Sequence, residues 1–139
     1  MNRASPIDET LATMDAEEKY QQIFSEFARA LRSLAMDADP QCESAGNFNV
    51  AQELKYEILS GRYVIGKGKL NETEETAITA LASAIDAVPG SALTFAEGHA
   101  ANVRNMMHPA WTPIRARAVL LLALLDSHIA QNKAYFDQH

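Results

Sequence analysis

Four side chains of the kinds that bind or transform ligands fall within thirteen positions of the segment EGHAANVRNMMHPAW: His99, Arg104, His108 and Trp111. Imidazole moves protons or binds metals near neutral pH, guanidinium grips carboxylate or phosphate through paired hydrogen bonds, and indole offers a flat apolar surface. On a helix His99 shares a face with Asn102, and Arg104 shares another with His108. The two histidines stand nine residues apart, two and a half turns, which is out of line for chelating one ion. With no H-x-x-x-H or E-x-x-H spacing and no second cysteine, neither a metal nor a cofactor is implied. The four are therefore candidates for contacting a ligand or partner, should the fold open a cleft beside them. The competing structural reading puts His108 at a helix terminus before Pro109, with Trp111 packed into the bend and its N–H bonded.

A second stretch, SGRYVIGKGKLNETEE, spaces Gly61 four residues from Gly66-Lys67-Gly68 and falls one residue short of a phosphate loop. That motif needs a buried strand before it, a helix starting at the lysine, and a hydroxyl after the lysine for magnesium. Here an amphipathic segment precedes Gly61, position 68 is glycine, and the next helix signal waits until Asn71. The glycines read better as a helix stop and turn residues. Arg62, Lys67 and Lys69 then make a small basic loop, a candidate for an anionic contact.

No catalytic residue is named by the rest of the chain. Glu53 and Glu57, one turn apart, could act as an acid pair, but an exposed helix face explains them as well. Asp126 and His128 sit late in a leucine-rich segment, where either the helix emerges into water or Asp126 meets an arginine such as Arg115 or Arg117. No Ser-His-Asp order or Cys-His pair stands in a defined turn, so the reading leans away from an enzyme.

The elements that must position these residues are helical, since apolar positions recur at three- and four-residue spacing and alternating β-branched runs are nearly absent. Ser5-Pro6 with Asp8 can open a first turn. Asp15 with Glu18 then starts a longer helix whose Tyr20, Ile23, Phe24, Phe27, Leu31 and Leu34 form one stripe, stopped by Pro40 and a loop over DADPQCESAGN. Asn49 with Gln52 opens a second helix ending at Gly61, and Asn71 with Glu74 opens a third carrying Ile78, Leu81, Ile85 and Val88. Thr94 with Glu97 opens a fourth, with Phe95, Val103 and one of Met106 or Met107 inward, closing near His108 ahead of Pro109. Thr112-Pro113 opens a fifth that runs from Ile114 to about Phe136. Its leucines point in nearly every direction, which marks the helix that others pack around.

Composition sets the bounds. Over 139 residues, 47% apolar and 22% charged side chains describe a folded chain, and one of this size buries roughly two-thirds of its unfolded surface. The expectation is one all-α domain over residues 1–139, a compact bundle or orthogonal array of about five helices with the C-terminal leucine-rich helix central. The start MNRASPIDET has no apolar stretch behind Arg3, and the apolar run Val119 to Leu125 is too short to span a bilayer, so neither a secretory leader nor a membrane segment is expected. Cys42 alone forms no internal disulfide, which fits a reducing, cytoplasmic setting. Residues 1–60 carry 11 acids against 5 bases, whereas residues 61–139 carry 7 of each. The acidic half argues against nucleic acid and for a basic protein partner. The leading expectation is an interaction module without catalysis, an adaptor, inhibitor or immunity-type protein, and a second copy of the chain is a further candidate partner. The alternatives are a small-molecule or enzymatic site near His99–Trp111 and, ranked lower, nucleic-acid binding through the Arg62–Lys69 loop.

Overall fold

A computed structural model describes residues 15–138, and over them the chain is helical. Seven α-helices follow in order: α1 (Ala16–Leu34), α2 (Ala38–Ser44), α3 (Val50–Ser60), α4 (Glu72–Asp86), α5 (His99–Met106), α6 (Trp111–Leu124) and α7 (Asp126–Gln138). Short 3₁₀ turns lie at Gly61–Val64 and Gly90–Ala92, and a single antiparallel bridge joins Phe48 to Glu97. The turn read at Ser5-Pro6 lies outside the described residues.

Two of the seven helices were not expected, and each has a local cause. The segment around Pro40 is not a loop, because Pro40 is the third residue of α2. In a first turn the missing N–H would have had no intrahelical partner anyway, so proline is tolerated there. The C-terminal segment is not one helix: α6 closes at Leu125, whose N–H reaches Leu121 O at 2.9 Å, and α7 restarts at Asp126, an acid suited to a helix N-terminus.

The long helix α1 starts as its sequence predicts, with Asp15 Oδ1 accepting the Glu18 N–H at 2.7 Å. Tyr20, Phe24, Phe27, Leu31 and Leu34 then bury one stripe against α3, α6 and α7. This helix, rather than the leucine-rich one, touches the most neighbours. Helix α6 lies on α1 and α4 through Trp111, Ile114, Ala118 and Leu121, and its other side leaves Val119, Leu120 and Leu124 in water. An all-round apolar pattern therefore corresponds to a helix buried on one side only.

Caps show the same mixture of local and distant causes. At α4 the Asn71–Glu74 capping box is present, each side chain bonding the other's backbone N–H at 2.8 Å. At α3 the expected box is absent: Asn49 is left-handed (φ 47°), its amide donates to Gln52 Oε1, and the Val50 N–H is taken by Asn102 Oδ1 at 2.8 Å. Gly61 does not stop α3 in a left-handed conformation either. Its φ is −64°, and a Cβ there would come within 2.1 Å of Phe27 Cδ1, so glycine serves close packing against α1. Thr94 and Glu97 precede α5 rather than cap it; Gly98, at φ 86°, is the N-cap. Among the described residues no helix is long and apolar enough to cross a membrane.

Candidate interaction groove

The four residues nominated near α5 take up separate positions. His99 faces α2 and the turn before α3, with Nδ1 2.7 Å from Asn47 Oδ1 and Nε2 2.8 Å from Asp39 Oδ1, while Glu43 stands 3.5 Å from Nδ1. Both ring nitrogens are thus committed to protein oxygens, and the two acids approach opposite nitrogens, which suits no single ion. His108 accepts the Ala110 N–H on Nδ1 at 3.0 Å, leaving Nε2 to donate toward Ser91 Oγ at 3.4 Å. A ring that donates to a serine cannot take that serine's proton. Trp111 is buried at the start of α6 as an apolar anchor; its Nε1 has no hydrogen-bond partner among the described residues, contrary to the bonded N–H expected. Arg104 is exposed on α5. A cleft of about 460 Å³ adjoins α5, but Val103, Met107, Arg115 and Asp37 line it, and none of the four does.

The basic loop is largely engaged with its own chain. Lys69 pairs with Glu17 at 2.6 Å, Lys67 lies 4.0 Å from the Tyr63 ring centre, and Arg62 donates to Leu59 O at 3.1 Å. Gly66 and Gly68 adopt positive φ, 77° and 74°, as turn glycines should. Among the described residues Arg115 pairs with no acid: its guanidinium donates to Met36 O at 2.8 Å and Met106 O at 3.3 Å, capping the carbonyl ends of α1 and α5. Asp126 is exposed, whereas His128 is partly buried against Glu74, 2.9 Å away. Cys42 is fully buried, and burial followed by the charge of Asp39 pushes its thiol up, away from nucleophilic use.

One polar knot joins α5 to the turn before α3, on the side where His99 also meets Asn47. Asn102 is completely buried, and its carboxamide reaches four neighbours: Oδ1 accepts from Val50 N, while the two N–H groups of Nδ2 are shared among the carbonyls of Asn47, Ala96 and Gly98. The backbone closes the same join, with Asn49 N donating to Ala96 O at 2.8 Å and Gly98 N to Asn47 O at 2.9 Å. Asn47 and Asn49 both hold positive φ, 56° and 47°, a conformation that needs surrounding contacts to persist. With the peptide groups turned inward to Asn102, Phe48 and Phe95 are turned outward. They meet edge to face at 5.5 Å, one 51% and the other 63% exposed.

Phe48 opens a cleft of about 500 Å³ between α1 and α3, bounded by Arg29, Ser33, Glu53 and Glu57. A second hollow of about 280 Å³ shares Arg29, Glu53 and Glu57 with it and continues past Glu26 to Tyr56 and Gly61. Together they form one groove carrying three carboxylates against one guanidinium, with exposed aromatic rings at both ends. Burial pushes the Glu57 carboxyl above its ordinary range; Arg29 pulls it back, and Glu53 and Glu26 push it further up. Glu53, exposed as expected, and Glu57, half-buried, stand one turn apart on α3, and both line the groove. Phe95, expected inward on the fourth helix, instead lies before α5 and outward, 63% exposed, and Phe48 carried no signal in the sequence because an aromatic residue near a helix start reads equally well as core.

A smaller polar recess of about 150 Å³ lies between α1 and α7. Tyr20, Lys69, His128 and Asn132 line it. Burial, then the charges of Glu17, Glu74 and Glu75, push the Tyr20 hydroxyl up to about 12, so it stays protonated. Among the described residues no three His, Cys, Asp or Glu side chains converge as a metal cage. No family model, no curated protein and no solved structure matches the chain.

Proposed function

We propose that this chain is a protein-interaction module that receives a basic, partly apolar segment of another protein in the α1–α3 groove. The observation that carries the proposal is the pairing of exposed aromatic side chains, Phe48 with Phe95 and Tyr56 beyond, with the carboxylates Glu26, Glu53 and Glu57 between them. Aromatic anchors dominate interface energetics, and a row of acids selects and steers a cationic partner. Glu57 adds a specific incentive, since a lysine or arginine placed beside it stabilises the charged form that burial disfavours. The polar knot at Asn102 fits this reading: it holds strained backbone in one arrangement, and the result is a fixed aromatic pair rather than a mobile one. A groove of this volume could also admit a small cationic ligand, but its walls are open to solvent and carry Arg29 among the carboxylates, unlike the closed pockets such ligands favour.

The test is capture of binding proteins from the source cell by the wild-type chain and by three variants. Glu53→Lys with Glu57→Lys, and separately Phe48→Ala, are expected to lose a captured basic protein, the aromatic truncation by roughly thirtyfold or more in affinity. Lys69→Ala, outside the groove, is expected to retain it. Binding should weaken with added salt and as pH falls through the raised range of Glu57, because protonation removes the charge that the partner meets. A captured set that both groove variants leave unchanged would overturn the proposal.

A further inference from the structure

The side of α6 that the core does not use forms a second surface of different character. Ala116, Leu120, Ala123 and Leu124 recur there at three- and four-residue spacing, with Leu120 71% exposed. Beside them α4, packed against α6, contributes Ala77, Ala80 and Ala84 in the same rhythm, each half-buried. Ala77, Leu120, Leu121 and Leu124 line a hollow of about 130 Å³, with Arg117 the one charge among the lining residues. In a chain of 22% charged side chains, such a face, with Arg117 as its one charge, is unusually apolar.

We infer that this α4–α6 face docks against the same face of a second copy of the chain. A two-fold contact requires a surface complementary to itself, which means a projection and a recess side by side. Leu120 is the projection, and the hollow flanked by Ala77 and Leu124 has room for one branched aliphatic side chain. A two-fold axis beside Leu120 seats each leucine in its partner's hollow, and the alanines let the helices approach closely. The extent of the face fits a modest dimer. At 1.5 Å per residue α6 is about 21 Å long, and two helices packed side by side are about 20 Å wide, so a pair of copies removes on the order of 1,000 Å² from water. That is the lower edge of specific interfaces, and it implies association that depends on concentration.

Charge gives this contact a signature of its own. Each copy carries a net charge of −6, so two copies repel at long range while the contact face itself is nearly neutral. Salt therefore strengthens the dimer, the reverse of its effect on a basic partner in the groove.

Sedimentation of the full chain from about 1 μM to about 500 μM, at about 50 mM and about 500 mM salt, is the test. The wild type is expected to move from 15.2 kDa toward twice that mass, at lower concentration in high salt. Leu120→Lys is expected to stay at 15.2 kDa throughout, with unchanged helicity and melting because residue 120 is mostly in water. Glu57→Lys, in the groove, is expected to dimerise as the wild type does, which separates this contact from the groove. A wild type that remains monomeric over the whole range, or a Leu120→Lys variant that dimerises normally, overturns the inference.

Discussion

Asn102 shows what one buried amide can do. Its Oδ1 and Nδ2 reach four neighbours between them, and two of these, Val50 and Asn47, lie 52 and 55 residues away along the chain, where only the whole fold brings them within reach. Replacing it by alanine leaves three carbonyls and the first N–H of α3 buried with fewer partners, and each such loss costs about 1–3 kcal/mol before relaxation. Asn102→Ala is expected to destabilise the fold by about 3 kcal/mol in denaturant unfolding and to weaken the near-ultraviolet signal of the aromatic residues it helps orient. A loss below about 1 kcal/mol would mean that the backbone pairing of residues 47–49 with 96–98 stands without it. Nothing local in the sequence marks this residue. The Asn71–Glu74 box was legible because its partners lie three residues apart, whereas Asn102 and Val50 are 52 apart. Gly61 misled for a related reason: a glycine after a helix suggests a left-handed stop, but here the requirement is space for the ring of Phe27.

At the scale of elements, periodicity found the helices whose apolar faces meet the core and missed those held by other means. The stripe of α1 and the buried line of α4 follow from burial, and burial leaves a 3.6-residue trace. Helix α7 leaves almost none, since Asn132 is its one buried residue, Ile129 meets the core only in part, and polar contacts supply the rest. His128 reaches Glu74, and the Asn132 amide donates to Gln21 O and Oε1 at 2.9 Å and 2.8 Å. Those contacts tie α7 to α4 and α1 without a stripe, so the sequence reads it as a continuation of α6. His128→Ala removes the partner of a carboxylate that is itself nearly buried. The expected consequence is local: amide exchange in α7 accelerates by about tenfold, corresponding to one hydrogen bond to a charged group, while α1 and α3 keep their protection. Equal acceleration across all helices would show that α7 is not an independent unit.

For the whole molecule, the assignment of inside and outside rests on adjacent leucines in one short run. Leu125 is fully buried at the junction of α6 and α7, and Leu124 beside it is 40% exposed on the uncharged face. A sequence of leucines cannot announce this division, because the residues are identical and only the break at Leu125 decides which of them turn inward. Introducing aspartate at each position separates the possibilities. Leu125→Asp buries an unpaired charge beneath two helices and should cost more than about 4 kcal/mol, most of the stability that a domain of this size has. Leu124→Asp places its charge at the surface and should change monomer stability by less than about 1 kcal/mol. Thermal unfolding at low protein concentration, where any assembly is dissociated, reads both directly. If the two variants melt alike, the α6–α7 junction is placed wrongly, and with it the surface on which Leu120 stands; if Leu125→Asp alone unfolds, Leu125 belongs to the core and Leu124 does not.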